Sequence, residues 1–198
     1  MDRSAQWEGE GGWWAPDALA AIEPERPERE GIQMLELLAD KGWDCSDPVG
    51  ERGETLMMLA AQGGRLGIVE WLAEKGADPE RVNLYGKGAL CYAASCGLDA
   101  AVLALDAISG PDDGQAEIAL MMAVEAGSLG ASAFGSLARR SAPEALARAL
   151  EALGALGEER GGAPWRAIYA EWAQREAKSI AAAALEGAGV GAAGALRV

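Results

Sequence analysis

The sequence predicts an all-α fold of stacked helix–turn–helix units. Half of the 198 residues are hydrophobic, which is enough for a continuous core. Alanine and glycine are abundant, and runs of the residue types that favour strands are nearly absent. A ten-residue segment also recurs three times, and each copy ends in glycine. Such self-similarity is typical of repeat proteins, in which one unit cannot bury its apolar face alone and stacked neighbours close the core.

The central repeat spans residues 53–88. Its segment Thr55-Leu-Met-Met-Leu-Ala-Ala-Gln-Gly-Gly64 is followed 33 residues later by Gly88-Ala-Leu-Cys-Tyr-Ala-Ala-Ser-Cys-Gly97, and 30 residues after that by Ile118–Gly127. Apolar residues at helical spacing predict core positions at Leu59, Ile68, Val69 and Leu72. Small residues allow close helix packing at Ala60, Ala61, Ala93 and Ala94. Glycines mark the predicted turns and helix ends at Gly42, Gly64, Gly76, Gly97 and Gly127.

These copies resemble the ankyrin-repeat family, whose motif is Thr-Pro-Leu-His-x-Ala. Thr55, the paired alanines and Gly64 occupy family positions, Ile68–Leu72 falls where the second helix belongs, and Gly76-Ala-Asp78 closes the unit. The proline and histidine of the motif are replaced by Leu56 and Met58, by Ala89 and Cys91, and by Ala119 and Met121. Because sulfur forms only weak hydrogen bonds, we expect the repeats to be held mainly by apolar packing. The other interpretation is an ordinary helical bundle with a chance similarity.

The resemblance implies an all-α ankyrin-repeat solenoid of about three to four repeats, with helical N- and C-terminal caps. We expect residues 1–30 to form an N-terminal segment with a degenerate first helix, residues 31–140 to form the array, and residues 141–198 to form a C-terminal helical cap with a flexible tail.

The N-terminal part departs most from a regular repeat. Trp13-Trp14 is expected to dock as an apolar cap, and the alternative is an exposed anchor for a partner. Asp17–Ile22 predicts a degenerate helix. Glu23–Glu30, with two prolines, predicts an exposed loop longer than a regular repeat has. An amphipathic helix is then expected over Gly31–Lys41.

Two segments occupy the positions of ankyrin fingers, the β-hairpins between repeats. They are Cys45–Arg52 and Pro79–Lys87, and the second has the regular family length. The third, Ser109–Gln115, is shortened, so we expect a stunted finger there.

After the third copy the repeat pattern decays. Leu129–Arg140 predicts a second helix anchored by Leu137, and a capping box at Ser141 and Glu144 predicts another helix that ends at Leu153. In the last predicted helix one face carries Trp165, Ile168, Tyr169 and Trp172. We expect this helix to seal the array, and the alternative is an aromatic stripe that binds a partner. Residues 187–198 are expected to fray.

The residue types exclude several kinds of catalysis. The chain contains no histidine, which removes Ser-His-Asp and Cys-His catalysis and the histidine-based zinc sites. Gly189–Gly194 spells G-x-G-x-x-G, but no strand precedes it and the chain ends four residues later. Asp112-Asp113 lacks the framework of a calcium loop. We therefore expect no catalytic residues, no metal and no cofactor.

The charge and the cysteines constrain partners and location. A net charge of −14 repels nucleic acid and anionic lipid and attracts a basic partner, although it could serve solubility alone. Cys45, Cys91 and Cys96 form no C-x-x-C pair, and their odd number argues against a disulfide framework. With no signal peptide and no span, the sequence predicts a cytoplasmic protein. The abundance of alanine, glycine and arginine is typical of a high-GC bacterial or phage source.

The resemblance also implies how the array works, since ankyrin repeats bind proteins through their finger tips and first helices. Carried onto this chain, the partner-binding positions are Glu51, Arg52 and Glu54 in the first finger, Leu84, Tyr85 and Lys87 in the second, Gln115 and Glu117 in the third, and Gln62, Ser95 and Glu125 at the helix–helix turns. Tyr85 is expected to be the main anchor, with Arg52 and Lys87 beside it.

Three functions are compatible with the sequence. The first is an acidic inhibitor or immunity-type protein that neutralises a basic protein, such as a toxin or a nucleic-acid enzyme. The second is an adaptor that recruits proteins without inhibiting them. The third is an enzyme site in the C-terminal helices.

Overall fold

The computed structural model describes residues 14–109, 113–126 and 130–141. All of them belong to Met1–Leu153, the first of two units into which the chain divides. The described residues form eight helices: α1 Ala15–Ala21, α2 Glu28–Asp40, α3 Leu56–Gln62, α4 Leu66–Glu74, α5 Ala89–Ser95, α6 Asp99–Ile108, α7 Asp113–Ala126 and α8 Ala131–Arg140. These ranges contain no strand, and an isolated antiparallel bridge joins Pro48 and Thr55.

Consecutive helices pair as α1–α2, α3–α4, α5–α6 and α7–α8, which gives four helix–turn–helix units. The first helices α3, α5 and α7 pack against one another in one layer, and the second helices α2, α4, α6 and α8 pack in another. This arrangement confirms the predicted all-α solenoid. Across the part of the chain that the structure describes, no helix has the length and apolar character needed to cross a membrane.

The core lies between the two layers of helices. Ile68, Val69 and Leu72 are completely buried, as the sequence predicts, whereas Leu59 is only half-buried. The predicted small contacts are also buried completely, at Ala60, Ala61, Ala93 and Ala94. The fourth unit is closed by Phe134 and by the predicted anchor Leu137. Large and small side chains therefore alternate through the core, and the alanines let the helices pack closely.

The second helix begins earlier than the sequence indicates. The helix α1 agrees with the prediction, but α2 begins at Glu28 and not at Gly31, so the predicted loop Glu23–Glu30 is too long. Pro27 is the residue before α2, with φ −57° and ψ 134°. Since proline has a fixed φ and no N–H to donate, it fits the start of a helix as well as a loop.

The loop between α1 and α2 is tied to the next unit by Arg65, the residue before α4. The Arg65 guanidinium donates to the carbonyl oxygens of Glu23, Pro24 and Arg26 at 3.1, 3.3 and 2.6 Å. Its Nε also lies 3.6 Å from a carboxylate oxygen of Glu28. Arg26, in the loop, donates from its Nε to the carbonyl oxygen of Ala20 in α1 at 2.8 Å. The loop predicted as exposed is therefore fixed in place by its contacts with the next unit.

The sulfur atoms at the histidine positions of the motif do form weak hydrogen bonds. At the start of α3, Met58 N donates to Thr55 Oγ1, and Thr55 N donates back to Met58 Sδ, each at 3.4 Å. In the next unit, Cys91 Sγ donates to Gln115 Oε1 at 3.4 Å. The methionine stays within its own unit, whereas the cysteine connects α5 with α7.

Burial keeps the thiol at position 91 protonated. Cys91 is completely buried, and its desolvation raises the thiol pKa from 9.0 to about 11. Burial, followed by the charge of Asp44, also raises the pKa of Cys45, whereas Cys96 is exposed at the end of α5. All three cysteines are free thiols.

Stability should fall between about pH 9 and pH 11 because of Cys91. The unfolded thiol ionises near its ordinary pKa and the folded thiol resists, so this contribution is complete below pH 9 and is lost as the pH passes the folded pKa. Two pKa units correspond to at most about 2–3 kcal/mol. Urea unfolding at several pH values measures the loss, and Cys91→Ala serves as the control. An equally steep decline in that variant would assign the effect to other groups.

Several predictions fall on residues outside the described ranges. These are the docking of Trp13, the turn at Gly127, the helix from Ser141 to Leu153, the aromatic face of Trp165 and Trp172, the C-terminal tail and the enzyme site of the third function. Ser141 itself ends α8, where its Oγ donates to the carbonyl oxygen of Leu137 at 2.8 Å.

Candidate protein-binding surface

Two tight turns repeat between the helix pairs, at residues 50–53 and 83–86. Gly53 N donates to Gly50 O at 3.1 Å, and Gly86 N donates to Asn83 O at 3.0 Å. Both closing glycines have positive φ, 79° and 70°, which a side chain would strain. These turns are the tips of the predicted fingers. They are closed by backbone hydrogen bonds, although neither is part of a strand.

The tips of the two fingers lie against each other. Leu84 N donates to Arg52 O at 2.9 Å, which is a backbone hydrogen bond between neighbouring fingers. The Arg52 guanidinium carbon lies 5.9 Å from the centre of the Tyr85 ring, within the range of a cation–π contact. Leu84 and Tyr85 are nevertheless 79% and 65% exposed. Arg52 therefore lies beside Tyr85, as the sequence predicts, and the two side chains are in contact without a bound partner.

Asn83 holds the second finger in shape. Its Oδ1 accepts from Tyr85 N at 2.9 Å and from Lys87 N at 3.0 Å, and its Nδ2 donates to the Tyr92 hydroxyl at 2.9 Å. Asn83 is 6% exposed, so these three bonds satisfy an amide that water hardly reaches. The buried amide fixes the backbone that presents Leu84 and Tyr85.

Replacing Asn83 with alanine should destabilise the finger and weaken partner binding, although Asn83 itself is buried. The variant leaves the amides of Tyr85 and Lys87 without their acceptor and removes one hydrogen bond of the Tyr92 hydroxyl, at a cost of about 1–3 kcal/mol. The measurement is chemical denaturation together with amide hydrogen exchange at Tyr85 and Lys87.

Tyr92→Phe is the matched control for that variant. It removes only the hydroxyl and leaves both backbone bonds of Asn83 intact, so its loss of stability should be smaller. An equal or larger loss in Tyr92→Phe would mean that the hydroxyl, and not the amide of Asn83, holds the finger.

Tyr92 is a surface residue that the sequence analysis missed. It lies half-buried on α5, where its hydroxyl approaches Glu54 Oε1 at 3.5 Å. Burial, followed by the charge of Glu54, raises the pKa of this hydroxyl. Tyr92 aligns with Leu59 of the preceding repeat, which the sequence pattern assigns to the core. The pattern therefore did not indicate Tyr92 as a residue of the finger region. The partial exposure of Leu59 shows that this position borders the surface.

The assignment of Gln115 and Glu117 to a third finger was wrong. Gln115 and Glu117 lie inside α7, which begins at Asp113. Gln115 Oε1 accepts from Gly88 N at 2.8 Å, and its Nε2 donates to Gly86 O at 3.1 Å. The first turn of α7 thus packs on the base of the second finger.

The structure separates the predicted binding residues by exposure. The exposed ones are Glu51, Arg52, Gln62, Leu84, Tyr85 and Glu125, and the half-buried ones are Glu54, Lys87, Ser95, Gln115 and Glu117. Three of the half-buried side chains form hydrogen bonds within the array: Glu54 accepts from Arg52 N at 2.9 Å, Ser95 Oγ donates to Tyr92 O at 2.9 Å, and Gln115 holds the second finger. The exposed residues that the fold brings together are those of the two finger tips.

The described residues contain no group of three or more cysteine or acidic side chains that could hold a metal ion. Cys91 is completely shielded from solvent, and its raised pKa opposes formation of a nucleophilic thiolate. The candidate site is therefore the exposed apolar and charged surface of the two fingers.

The comparison with known families agrees with this geometry. Residues 26–112 match the family model described as ankyrin repeats in three copies. This segment is an ankyrin-repeat array. The helices α7 and α8 continue the same stacking beyond the matched residues. Ankyrin repeats are generally non-enzymatic and bind other proteins, so the array is a protein–protein interaction module. No curated protein matches the chain.

Proposed function

We propose that the ankyrin array binds a basic protein through its finger surface and neutralises that protein's activity. The finger surface is defined here as Glu51, Arg52, Leu84 and Tyr85. The observation that carries the proposal is the exposure of Leu84 and Tyr85 beside Arg52 on two turns joined by a backbone hydrogen bond.

The composition of this surface favours a protein partner. Tyrosine and arginine are enriched among the residues that dominate protein interfaces, and a large apolar side chain is costly to leave in water. The finger turns are already fixed by hydrogen bonds, including those of Asn83, so binding would order little of the backbone. Tyr85 acts as the anchor, and Arg52 supports one side of its ring.

The charge of the chain favours a basic partner. The net charge of −14 would accelerate association with a positively charged protein, and Glu51 places an exposed carboxylate on the first finger tip. A toxin or a nucleic-acid enzyme has such a charge, and an immunity-type protein would act by covering its working surface. Free thiols at all three cysteines support a reducing bacterial cytoplasm as the location.

An adaptor function is the second candidate, and the apolar character of the second finger tip favours it. Leu84 and Tyr85 carry no charge, and Val82 nearby is 44% exposed. A contact dominated by these side chains would not require a basic partner and would depend little on salt.

A pull-down from the source cells, washed first at low and then at higher salt, tests the proposal. We expect one basic protein that is released by salt, and whose activity falls when the chain is added back. Several neutral proteins that stay bound at higher salt would support the adaptor instead. A bait that carries Tyr85→Ala and Lys87→Ala should lose the partner, and retention by that bait would remove the finger surface from the proposal.

A further inference from the structure

A second surface feature lies among the second helices, away from the finger tips. It is a groove of about 500 Å³ formed by Glu70, Ala73 and Glu74 of α4, Ala77 and Pro79 after α4, and Ile108 at the end of α6. None of these residues belongs to the finger surface. Its volume falls in the range of pockets that hold small ligands, roughly 300–1,000 Å³.

The groove combines an apolar floor with two carboxylates. Ile108 is 38% exposed, and Ala73 and Pro79 contribute further apolar surface, whereas Ala77 is only 5% exposed. Glu70 and Glu74 are four residues apart on α4 and therefore project from the same face of the helix. Within the described part of the chain, neither carboxylate forms a salt bridge or a side-chain hydrogen bond. The neighbouring cation, Lys75, instead lies 5.5 Å from the centre of the Trp71 ring.

The groove lies at a position where two consecutive units differ. The turn Gly42-Trp-Asp44 recurs 34 residues later as Gly76-Ala-Asp78. The two turns have the same hydrogen bonds, since Trp43 N donates to Leu38 O and Ala77 N donates to Leu72 O, at 3.1 and 2.9 Å. Trp43 is 5% exposed, so its ring is buried, whereas the side chain of Ala77 is only a methyl group. The groove includes the position at which alanine replaces the tryptophan of the preceding unit.

We propose that this groove binds a lysine or arginine side chain of a protein partner. The aliphatic stem would lie on Ala73, Pro79 and Ile108, and the cationic head would lie between Glu70 and Glu74. The stems of these side chains pack on apolar surface while the charged end remains at the rim, which matches the distribution of apolar and acidic groups here. Charge complementarity therefore selects a basic peptide segment as the occupant. The site is separate from the finger surface and does not depend on it.

Titration of ¹⁵N-labelled protein with the capped tripeptide acetyl-Ala-Arg-Ala-amide tests the proposal by NMR. We expect saturable shifts of the amides of Ala73, Ala77 and Ile108. The same peptide with norleucine in place of arginine keeps the stem and removes the charge, so it should bind at least about fivefold more weakly. Equal binding of the two peptides, or no saturable shift with either, would overturn the proposal.

The double variant Glu70→Gln, Glu74→Gln should weaken binding of the arginine peptide by about fivefold or more. The matched control is Glu36→Gln, Asp40→Gln on α2, which removes the same charge at the equivalent positions beside Trp43 and should leave the affinity unchanged. Equal weakening by both double variants would show general attraction to an acidic surface and would contradict a specific site.

Three further measurements separate the remaining outcomes. Ala77→Trp copies the side chain of the preceding unit into the groove and should abolish binding while both carboxylates remain. Butylammonium presents the stem and the cation without a peptide, and binding as tight as that of the tripeptide would replace the protein partner with a free amine. The variant Tyr85→Ala, Lys87→Ala should bind the tripeptide normally, so a failure of the finger surface and a failure of the groove are distinguishable.

Discussion

Replacing Leu72 with alanine is expected to lower the free energy of unfolding by roughly 2–5 kcal/mol. Leu72 is completely buried on α4, where it lies between the two layers of helices. The variant removes apolar atoms from the core and leaves a cavity that close-packed neighbours fill only in part. Urea denaturation measures the loss directly, and the melting temperature should fall by several degrees, at about 2–4 °C for each kcal/mol in a chain of this size.

Leu84→Ala is the matched control for Leu72→Ala, because it makes the same chemical change at a side chain that is 79% exposed. Its effect on unfolding should stay within about 0.5 kcal/mol. An unchanged melting temperature in Leu72→Ala would mean that Leu72 is not part of the core, and a similar loss in both variants would mean that burial does not decide the cost.

Replacing Tyr85 and Lys87 together with alanine is expected to weaken partner binding by about 30-fold or more, which corresponds to about 2 kcal/mol for a dominant interface side chain. Tyr85 is 65% exposed and contacts Arg52, and the hydrogen bonds that close the second finger involve the backbone of residues 83–87 and the side chain of Asn83. The fold should therefore remain intact. Isothermal titration with the partner recovered by pull-down gives the affinity, and circular dichroism checks the fold.

The control for the finger variant is Leu37→Ala on α2, which removes a large apolar side chain that is 61% exposed outside the finger surface. Its affinity for the partner should equal that of the unchanged chain. If Leu37→Ala weakens binding and the finger variant does not, the interface lies on the second helices.

The sequence was sufficient for the repeat architecture because the period and the helix contacts have the same physical origin. Each unit repeats one pattern of small and large apolar residues, so the spacing alone assigns Leu72 and the paired alanines to the core. The two finger segments followed from the same period, and the structure places a glycine with positive φ in each finger turn, at Gly53 and Gly86. The contact between Tyr85 and Arg52 was also anticipated, because neighbouring fingers place equivalent positions side by side.

Most of the parts that the sequence could not predict depend on contacts between units, and one has a local cause. A shortened segment before Ile118 suggested a stunted finger, but the structure extends α7 back to Asp113, where Gln115 bonds to the second finger. The early start of α2 has a local cause in Pro27, which is compatible with both a loop and a helix start. The hydrogen bond between Glu54 and Tyr92 joins side chains that are 38 residues apart in the sequence. A pattern of neighbouring residues does not predict a contact over that separation.

Arg65 also has a consequence for how the array opens. Terminal units of repeat proteins unfold first, because they have a neighbour on one side only. Here the guanidinium from the second unit holds three carbonyl groups of the first, so α1 and α2 should not detach while α4 remains folded. The backbone amides of α1 and α2 should then exchange slowly with solvent. In Arg65→Ala their exchange rate should rise sharply, because the first unit could then unfold locally while α4 remains folded.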